Sequence, residues 1–399
     1  MFPISVNGKQ LSFILDTGVS KTIFFNLTEK DALHLKNTQK VFIKGLGADA
    51  PAEAVLSKYN KLKIKNIIGV NQNIFVVLND NFKLSSKMGT TIHGIIGYQL
   101  LKDVVLKVNY NNKTLSFYQP KFFNTPKCIK CQSFDIQFHN NKPYINIQVS
   151  TSQVAKPIWL KMLVDLGSSD AFWLFEGTEK NIKSPDKYFI DILGEGLSGV
   201  VYGKRSRVNR VRIGNYLIEQ PTASFLDTLS TFNARKHKER DGSIGGGVLK
   251  RFKLWINYPS KKLLLKKSSS LKKGFYYNMS GLHLAYNGLE LVKEKKNTID
   301  FNYKNNDKTS TKLISFITGY QYKFKPSYII QRVVKGSPAD KAGIKPGDIV
   351  RNINGKKAYN YSLEHIVNLF QTHPDKKITI EVKRGLIVLK YKFRLEKRI

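Results

Sequence analysis

The feature that most constrains this chain is an internal duplication. Three landmarks occur twice, in the same order. The first is an apolar run ending in Asp-x-Gly: Phe13-Ile-Leu-Asp16-Thr17-Gly18-Val19-Ser20, then Met162-Leu-Val-Asp165-Leu166-Gly167-Ser168-Ser169. The second is a glycine-rich segment, Lys44-Gly45-Leu46-Gly47 and Leu193-Gly194-Glu195-Gly196-Leu197-Ser198-Gly199. The third is a small-and-apolar turn, His93-Gly94-Ile95-Ile96-Gly97-Tyr98 and Gly242-Ser243-Ile244-Gly245-Gly246-Gly247. Asp16 and Asp165 are 149 residues apart (165 − 16), Gly97 and Gly245 148 (245 − 97), and Asn109-Tyr110 and Asn257-Tyr258 148 (257 − 109). One shared tripeptide is chance, but landmarks in register over about a hundred residues are a repeat, and a repeat decides how the rest is read.

Each copy is a series of short alternating strands closed by Gly, Asn or Pro turns, the pattern of a small β lobe. The lobes are expected at residues 1–118 and 134–267, joined by a linker at 119–133 that holds Pro120, Pro126 and both cysteines. The Lys- and Ser-rich run Lys266–Lys273 marks a boundary, and a further α+β domain is expected at 274–399. The fold class is therefore mainly β, built of two repeated lobes.

At 399 residues the chain is too long for one average domain. The net charge of +37 comes mostly from Lys spread through the whole chain among Asn, Ile and Tyr. No segment concentrates Lys and Arg with aromatics, so no nucleic-acid partner is expected. Cys128 and Cys131 form one C-x-x-C, which leaves a local disulfide, a free pair or an intermolecular metal site open. Neither metal nor cofactor is expected. Charged residues interrupt every apolar run before the roughly 20 residues of a helical span. Met1 to Gln10 lack a basic and an apolar signal region and already read as strand and turn, so the expected start lies upstream.

An aspartate after an apolar run is costly to bury. A turn or capping residue at a strand end is the plain alternative, but the glycine two residues on suits a tight turn that aims backbone N–H groups at the carboxylate. Together, Phe13-Ile-Leu-Asp16-Thr17-Gly18, Gly45-Leu46-Gly47 and Gly94-Ile95-Ile96-Gly97 resemble a retropepsin lobe. The second set resembles the same lobe again, and two lobes in one chain resemble the pepsin arrangement, over about residues 1–267. The resemblance implies an aspartic endopeptidase with Asp16 and Asp165 as the catalytic pair. Thr17, Gly18, Leu166, Gly167 and Ser168 would support the catalytic loops. Gly45, Leu46 and Gly47, with Gly194, Gly196 and Gly199, would form flaps; Ile95, Ile96, Gly97, Ile244 and Gly245 would brace the loops. It further implies an extended peptide substrate and a monomer with an intramolecular pseudo-dimer. The chain departs from the family at two places. Leu166 has no hydroxyl to complete the lock that Thr17 begins, and Ser168, opposite Val19, is the single hydroxyl donor expected at either carboxylate. The two aspartates are thus expected to differ in pKa. Leu166 also motivates the alternative of a catalytically weak or inactive peptide-binding protein.

Downstream, Ser337-Pro338-Ala339-Asp340-Lys341-Ala342-Gly343 reads as a short helix with a Ser cap, Pro in its first turn and Gly after its end. Lys345-Pro346-Gly347-Asp348 to Gly355 reads as turn, strand and hairpin. Ser362 starts an amphipathic helix with Leu363, Ile366, Val367 and Phe370 on one face. These motifs are similar to PDZ domains of secreted bacterial proteases. The similarity implies a peptide groove in which Ser280, Gly281 and Leu282 hold a C-terminal carboxylate, Ile366 contributes from the helix, and the next strand accepts the ligand as an added strand. The Lys293–Lys312 stretch reads as an insertion. The whole resembles bacterial aspartyl proteases with a C-terminal PDZ domain, which implies a periplasmic or secreted location.

Overall fold

Period-two alternation builds the first lobe. In Lys9–Leu15, Leu11, Phe13 and Leu15 turn into the core while Lys9 and Gln10 stay in water. In the computed structural model the chain divides into two units. One comprises Met1–Leu84, Thr91–Tyr277 and Lys397–Ile399; the other comprises Ser85–Thr90 and Asn278–Glu396. The structure describes residues 1–28, 33–45, 50–78, 84–126, 128–152, 156–196, 199–232, 234–236, 239–304 and 311–399.

The first unit holds both copies. Copy one is a seven-stranded sheet in the order Phe2–Val6, Lys9–Leu15, Gly94–Ile96, Ile23–Phe24, Ile67–Val77, Ala52–Ile64, Thr38–Ile43. Phe2–Val6 also pairs with Ala52–Ile64, so the sheet curls back on itself. Copy two repeats the central pairings. Leu15 runs parallel to Ile96, and Val164 parallel to Ile244. Ile23 pairs with Phe75, and Phe172 with Ala223, again both parallel. The duplication read in the sequence is therefore a duplication of topology.

A third sheet joins the copies: Cys131–Asp135, Lys262–Lys267, Phe252–Asn257, Val105–Asn109, Thr114–Tyr118. At its centre Val105 pairs with Asn257 and Asn109 with Lys253. With the 148-residue offset (257 − 109), these are the same contact made twice, as a two-fold requires. The pseudo-axis passes through the pair Lys107 and Trp255. Leu106 and Val108 join Leu254 and Ile256 in a core that continues into copy two. Each such side chain, fully buried, contributes roughly 1.5–3 kcal/mol, so the joining sheet ties the copies together beside the separate cores of copy one. This corrects the expected linker: its last residues, Cys131 to Ser133, are strand, paired with Leu264 to Lys266. Among the three states open to the cysteines, the structure has the local disulfide, Cys128–Cys131.

The second unit is a sheet in the order Leu282–Lys304, Thr311–Val333, Ile349–Ile353, Lys377–Arg384, Ile387–Arg394, with the helices Pro338–Lys341 and Leu363–Leu369. The cap is where the sequence places it: Ser337 Oγ accepts from the Asp340 N–H at 3.3 Å. Leu363, Ile366 and Phe370 are buried. Arg384 clamps the buried Asp348 through two 2.7 Å bonds. The stretch expected as an insertion extends a single long hairpin; its residues 305–310 lie outside the described residues. Among the described residues, no helix is long and apolar enough to cross a membrane.

Candidate active site

Each Asp-x-Gly follows its strand into a tight turn. The Asp16 N–H donates to the Ile96 carbonyl at 3.0 Å, and the Asp165 N–H to Ile244 at 2.9 Å. The Ile95, Ile96 and Ile244 segments expected as braces are thus the parallel neighbours that hold each aspartate at its strand end. Gly97 and Gly245 follow them, and the Tyr98 and Gly246 N–H groups bond back to Val19 and Ser168. The turns aim amides inward. Gly18 N–H donates to Asp16 Oδ1 at 2.7 Å; Gly167 and Ser168 N–H donate to Asp165 Oδ1 at 2.9 and 3.1 Å. The expectation for Ser168 needs correction, because its backbone N–H, not its hydroxyl, serves the carboxylate. A backbone amide is already in place in this turn, and the hydroxyl instead lies over Gly245.

A Cβ at Gly167 would overlap the Asp16 carboxyl, and one at Gly18 would stand 3.1 Å from Asp16 Oδ1 and 3.2 Å from Asp165 Oδ2, a tight fit that the carboxyls could meet by giving a few tenths of an ångström. The two loops therefore interlock with the carboxyl groups side by side. Desolvation by the surrounding protein, then the Asp165 charge, push Asp16 up to about 8; Asp165 also bonds to it directly, while the Gly18 N–H and Lys142 pull the other way. One amide serves Asp16 and two serve Asp165, so the hydrogen bonding of the pair is unequal.

Thr17 and Leu166 differ as their side chains dictate. Thr17, fully buried, donates to the Val164 carbonyl at 2.5 Å and accepts from the Leu166 N–H at 3.0 Å, both across the lobe boundary. Leu166 packs on the shared core instead.

Charged and phenolic groups that the sequence reading did not single out surround the pair. Tyr144 pairs with Leu163, so Lys142, two residues earlier, comes level with Asp165. Burial lowers the pKa of Lys142, as does Arg240, while Asp16 and Asp165 raise it. The buried Arg240 bonds to Tyr144 and feels Asp165. Tyr110, pushed up to about 12 by burial and then by Asp165, faces the opposite lobe's aspartate. Tyr258, raised by burial and then by Asp16, does the same in reverse, and its hydroxyl has no hydrogen-bond partner among the described residues. The two tyrosines are visible in the sequence as the Asn-Tyr landmark. Arg240 is not, because the matching position in copy one is Ile92 (240 − 148).

The second glycine-rich segment is a hairpin, Phe189–Gly196 with Gly199–Arg207, in which Gly196 pairs with Gly199; Gly194 lies against Trp173. Arg205 ties it to the Asp165 turn, donating to Asp170 at 2.8 Å and Asp191 at 3.0 Å. In copy one, Gly45 follows the strand Thr38–Ile43, while Leu46 and Gly47 lie outside the described residues.

In the second unit the expected carboxylate nest is already filled. The N–H groups of Ser280 and Gly281 donate to Asn278 Oδ1 at 3.1 and 3.3 Å, and that of Leu282 donates to Ser280 Oγ at 3.0 Å. Ser280 and Ile366 are both fully buried. Asn278, a short amide two residues upstream within the same segment, reaches these donors first.

Residues 2–100 match the aspartyl protease family, and residues 329–384 match the PDZ domain family. The chain thus carries a protease domain followed by a PDZ domain. Asp16, Gly18, Gly45 and Ile95 to Gly97 fall within the first match; Asp165 and the rest of copy two fall outside both. Among curated proteins, the chain is 40% identical over 57 residues to a probable periplasmic serine endoprotease, DegP-like, of Hahella chejuensis, covering 14% of this chain and 12% of that protein. It is 36% identical over 52 residues to a probable CtpA-like serine protease of Staphylococcus aureus, covering 13% and 10%. The chain thus spans about a tenth of the length of these relatives.

Proposed function

We propose that this protein is an aspartic endopeptidase of the pepsin-like, two-lobed kind, with Asp16 and Asp165 as its catalytic pair. The observation that carries the reading is the interlocking of Gly18 and Gly167 around two carboxyl groups that share a hydrogen bond, with Asp16 raised to about 8. Two carboxyls so placed hold one proton between them. The ionised partner takes a proton from a water held between them. That water attacks the peptide carbonyl, and the protonated partner donates a hydrogen bond to the carbonyl oxygen. No covalent intermediate is needed. The Phe189–Arg207 hairpin closes over an extended peptide, and the PDZ domain binds a peptide of substrate or partner. The disulfide supports an extracytoplasmic location, periplasmic or secreted.

The short relatives are named serine proteases, so the test must separate the two chemistries. Asp16→Asn and Asp165→Asn should each abolish cleavage of a peptide library with an unchanged far-UV spectrum. A fluorophosphonate that modifies nucleophilic serines should leave turnover intact. Turnover that survives either substitution, or that is lost to the fluorophosphonate, refutes the reading. Activity should scale linearly with enzyme on dilution, since one chain completes the site. Peptide binding without cleavage by the parent protein would select the second reading, a binding protein, which the missing hydroxyl at Leu166 favours.

A further inference from the structure

The long hairpin of the second unit is inverted. Leu282–Lys304 and Thr311–Val333 stay paired to the Lys304 and Thr311 end, while the next strand meets only Tyr328 and Ile329. Beyond that contact the hairpin is a two-stranded ribbon, a form that is marginal in water by itself. Leu289 pairs with Pro326, Leu291 with Phe324, Lys293 with Tyr322 and Lys295 with Tyr320, so these residues share one face. Leu289, Leu291, Tyr320, Tyr322 and Phe324 are 60%, 58%, 55%, 62% and 68% exposed. The acids stand on the other face and are the better covered. Glu290 bonds to Arg351 at 2.6 Å and Glu294 pairs with Lys325 at 3.3 Å, their side chains 28% and 23% exposed. Ion pairs thus turn toward the domain and apolar side chains toward solvent, the reverse of what burial favours, and such a patch marks a docking surface.

We propose that this face seats on an anionic lipid bilayer, independently of the chemistry at the aspartates. Charge selects the occupant. The charged side chains on the described part of the face are Lys293, its ammonium 4.0 Å from the centre of the Tyr320 ring, and Lys295; none is acidic. A second copy would set these lysines against themselves across a two-fold, with no acid to meet them. An anionic bilayer meets every group. Leu289, Leu291 and Phe324 enter the acyl boundary, the tyrosine hydroxyls stay at headgroup level, and the lysine stems lie flat with their ammonium groups on phosphate. The net charge of +37 adds attraction at longer range.

The full chain is sedimented with phosphatidylcholine vesicles, with and without phosphatidylserine. Binding should require phosphatidylserine and weaken with salt. Leu291→Ser with Phe324→Ser, and separately Lys293→Gln with Lys295→Gln, should each lower partitioning about tenfold without changing the melting temperature, since all four positions are exposed. Phe324→Trp should blue-shift in emission when anionic vesicles are added. Equal binding to both vesicles, no binding, or full binding by either double variant would overturn the proposal. So would a dimer, seen by light scattering, that Leu291→Ser and Phe324→Ser dissolve, because the face would then belong to a second copy.

Discussion

Thr17 crosses the lobe boundary and Leu166, its counterpart in copy two, does not: the Thr17 hydroxyl accepts the Leu166 N–H at 3.0 Å while donating to Val164. Half of a symmetric lock is present and fully paired. Thr17→Val keeps the shape and removes the hydroxyl, leaving a buried carbonyl and a buried N–H without partners. That should cost roughly 2–4 kcal/mol. Leu166→Thr trades packing against the core for new hydroxyl bonds and should stay within about 1 kcal/mol of the parent. Urea unfolding of both variants measures this, and equal losses would show that Thr17 does not bind the lobes.

The raised Asp16 makes stability fall with pH. Its folded value of about 8 lies above the ordinary 3.8, so between these the folded state binds more protons than the unfolded one. Stability from this group is intact below pH 4 and declines toward pH 8, by up to about 1.4 kcal/mol per unit. Asp16→Asn removes the slope. The variant should be more stable than the parent at pH 8 and should converge with it near pH 4. Thermal melts across this range decide; parallel curves would mean that Asp16 is ionised throughout.

Lys142 sets where that proton is lost. Its charge favours the ionised Asp16, against burial and Asp165. Lys142→Met should therefore move the alkaline limb of kcat/KM to higher pH, while a loss of activity without a shift would assign Lys142 a structural part alone. A downward shift would reverse the sign of its influence.

The sequence made the lobes, the two aspartates and the bracing turns legible because each is written twice, and repetition converts weak tripeptides into a topology. Several features written once were not legible. Lys142 and Arg240 lie far apart in the chain and meet the aspartates only through strand register. Asn278 fills the N–H groups of Ser280 and Gly281 by a local bond that a motif reading passes over. The ribbon reads as an Asn- and Lys-rich insertion until pairing shows that Leu289, Leu291, Tyr320, Tyr322 and Phe324 fall on one face.

Arg205 supplies the last test, because it couples the hairpin to the Asp165 turn. Its guanidinium, with a side chain 11% exposed, pairs with Asp170 and Asp191, and Asp170 also accepts from Trp173 Nε1 and Ser224 Oγ at 2.8 Å each. Asp170 lies three residues beyond Gly167, so the hairpin base and the Asp165 turn share one buried anion. Arg205→Met fills similar space but removes the buried cation that Asp170 and Asp191 share, which typically costs about 3–5 kcal/mol. The loss should appear first in the hairpin. Amides of residues 189–207 should exchange faster, while the shared sheet at Val105–Asn109 and Phe252–Asn257 keeps its protection. KM should rise more than kcat falls, because the closing element loosens while the aspartates keep their own amides. Uniform acceleration of exchange across the unit would show instead that Arg205 supports the lobe as a whole, and unchanged exchange at the hairpin would show that Trp173 and Ser224 hold Asp170 in place without it.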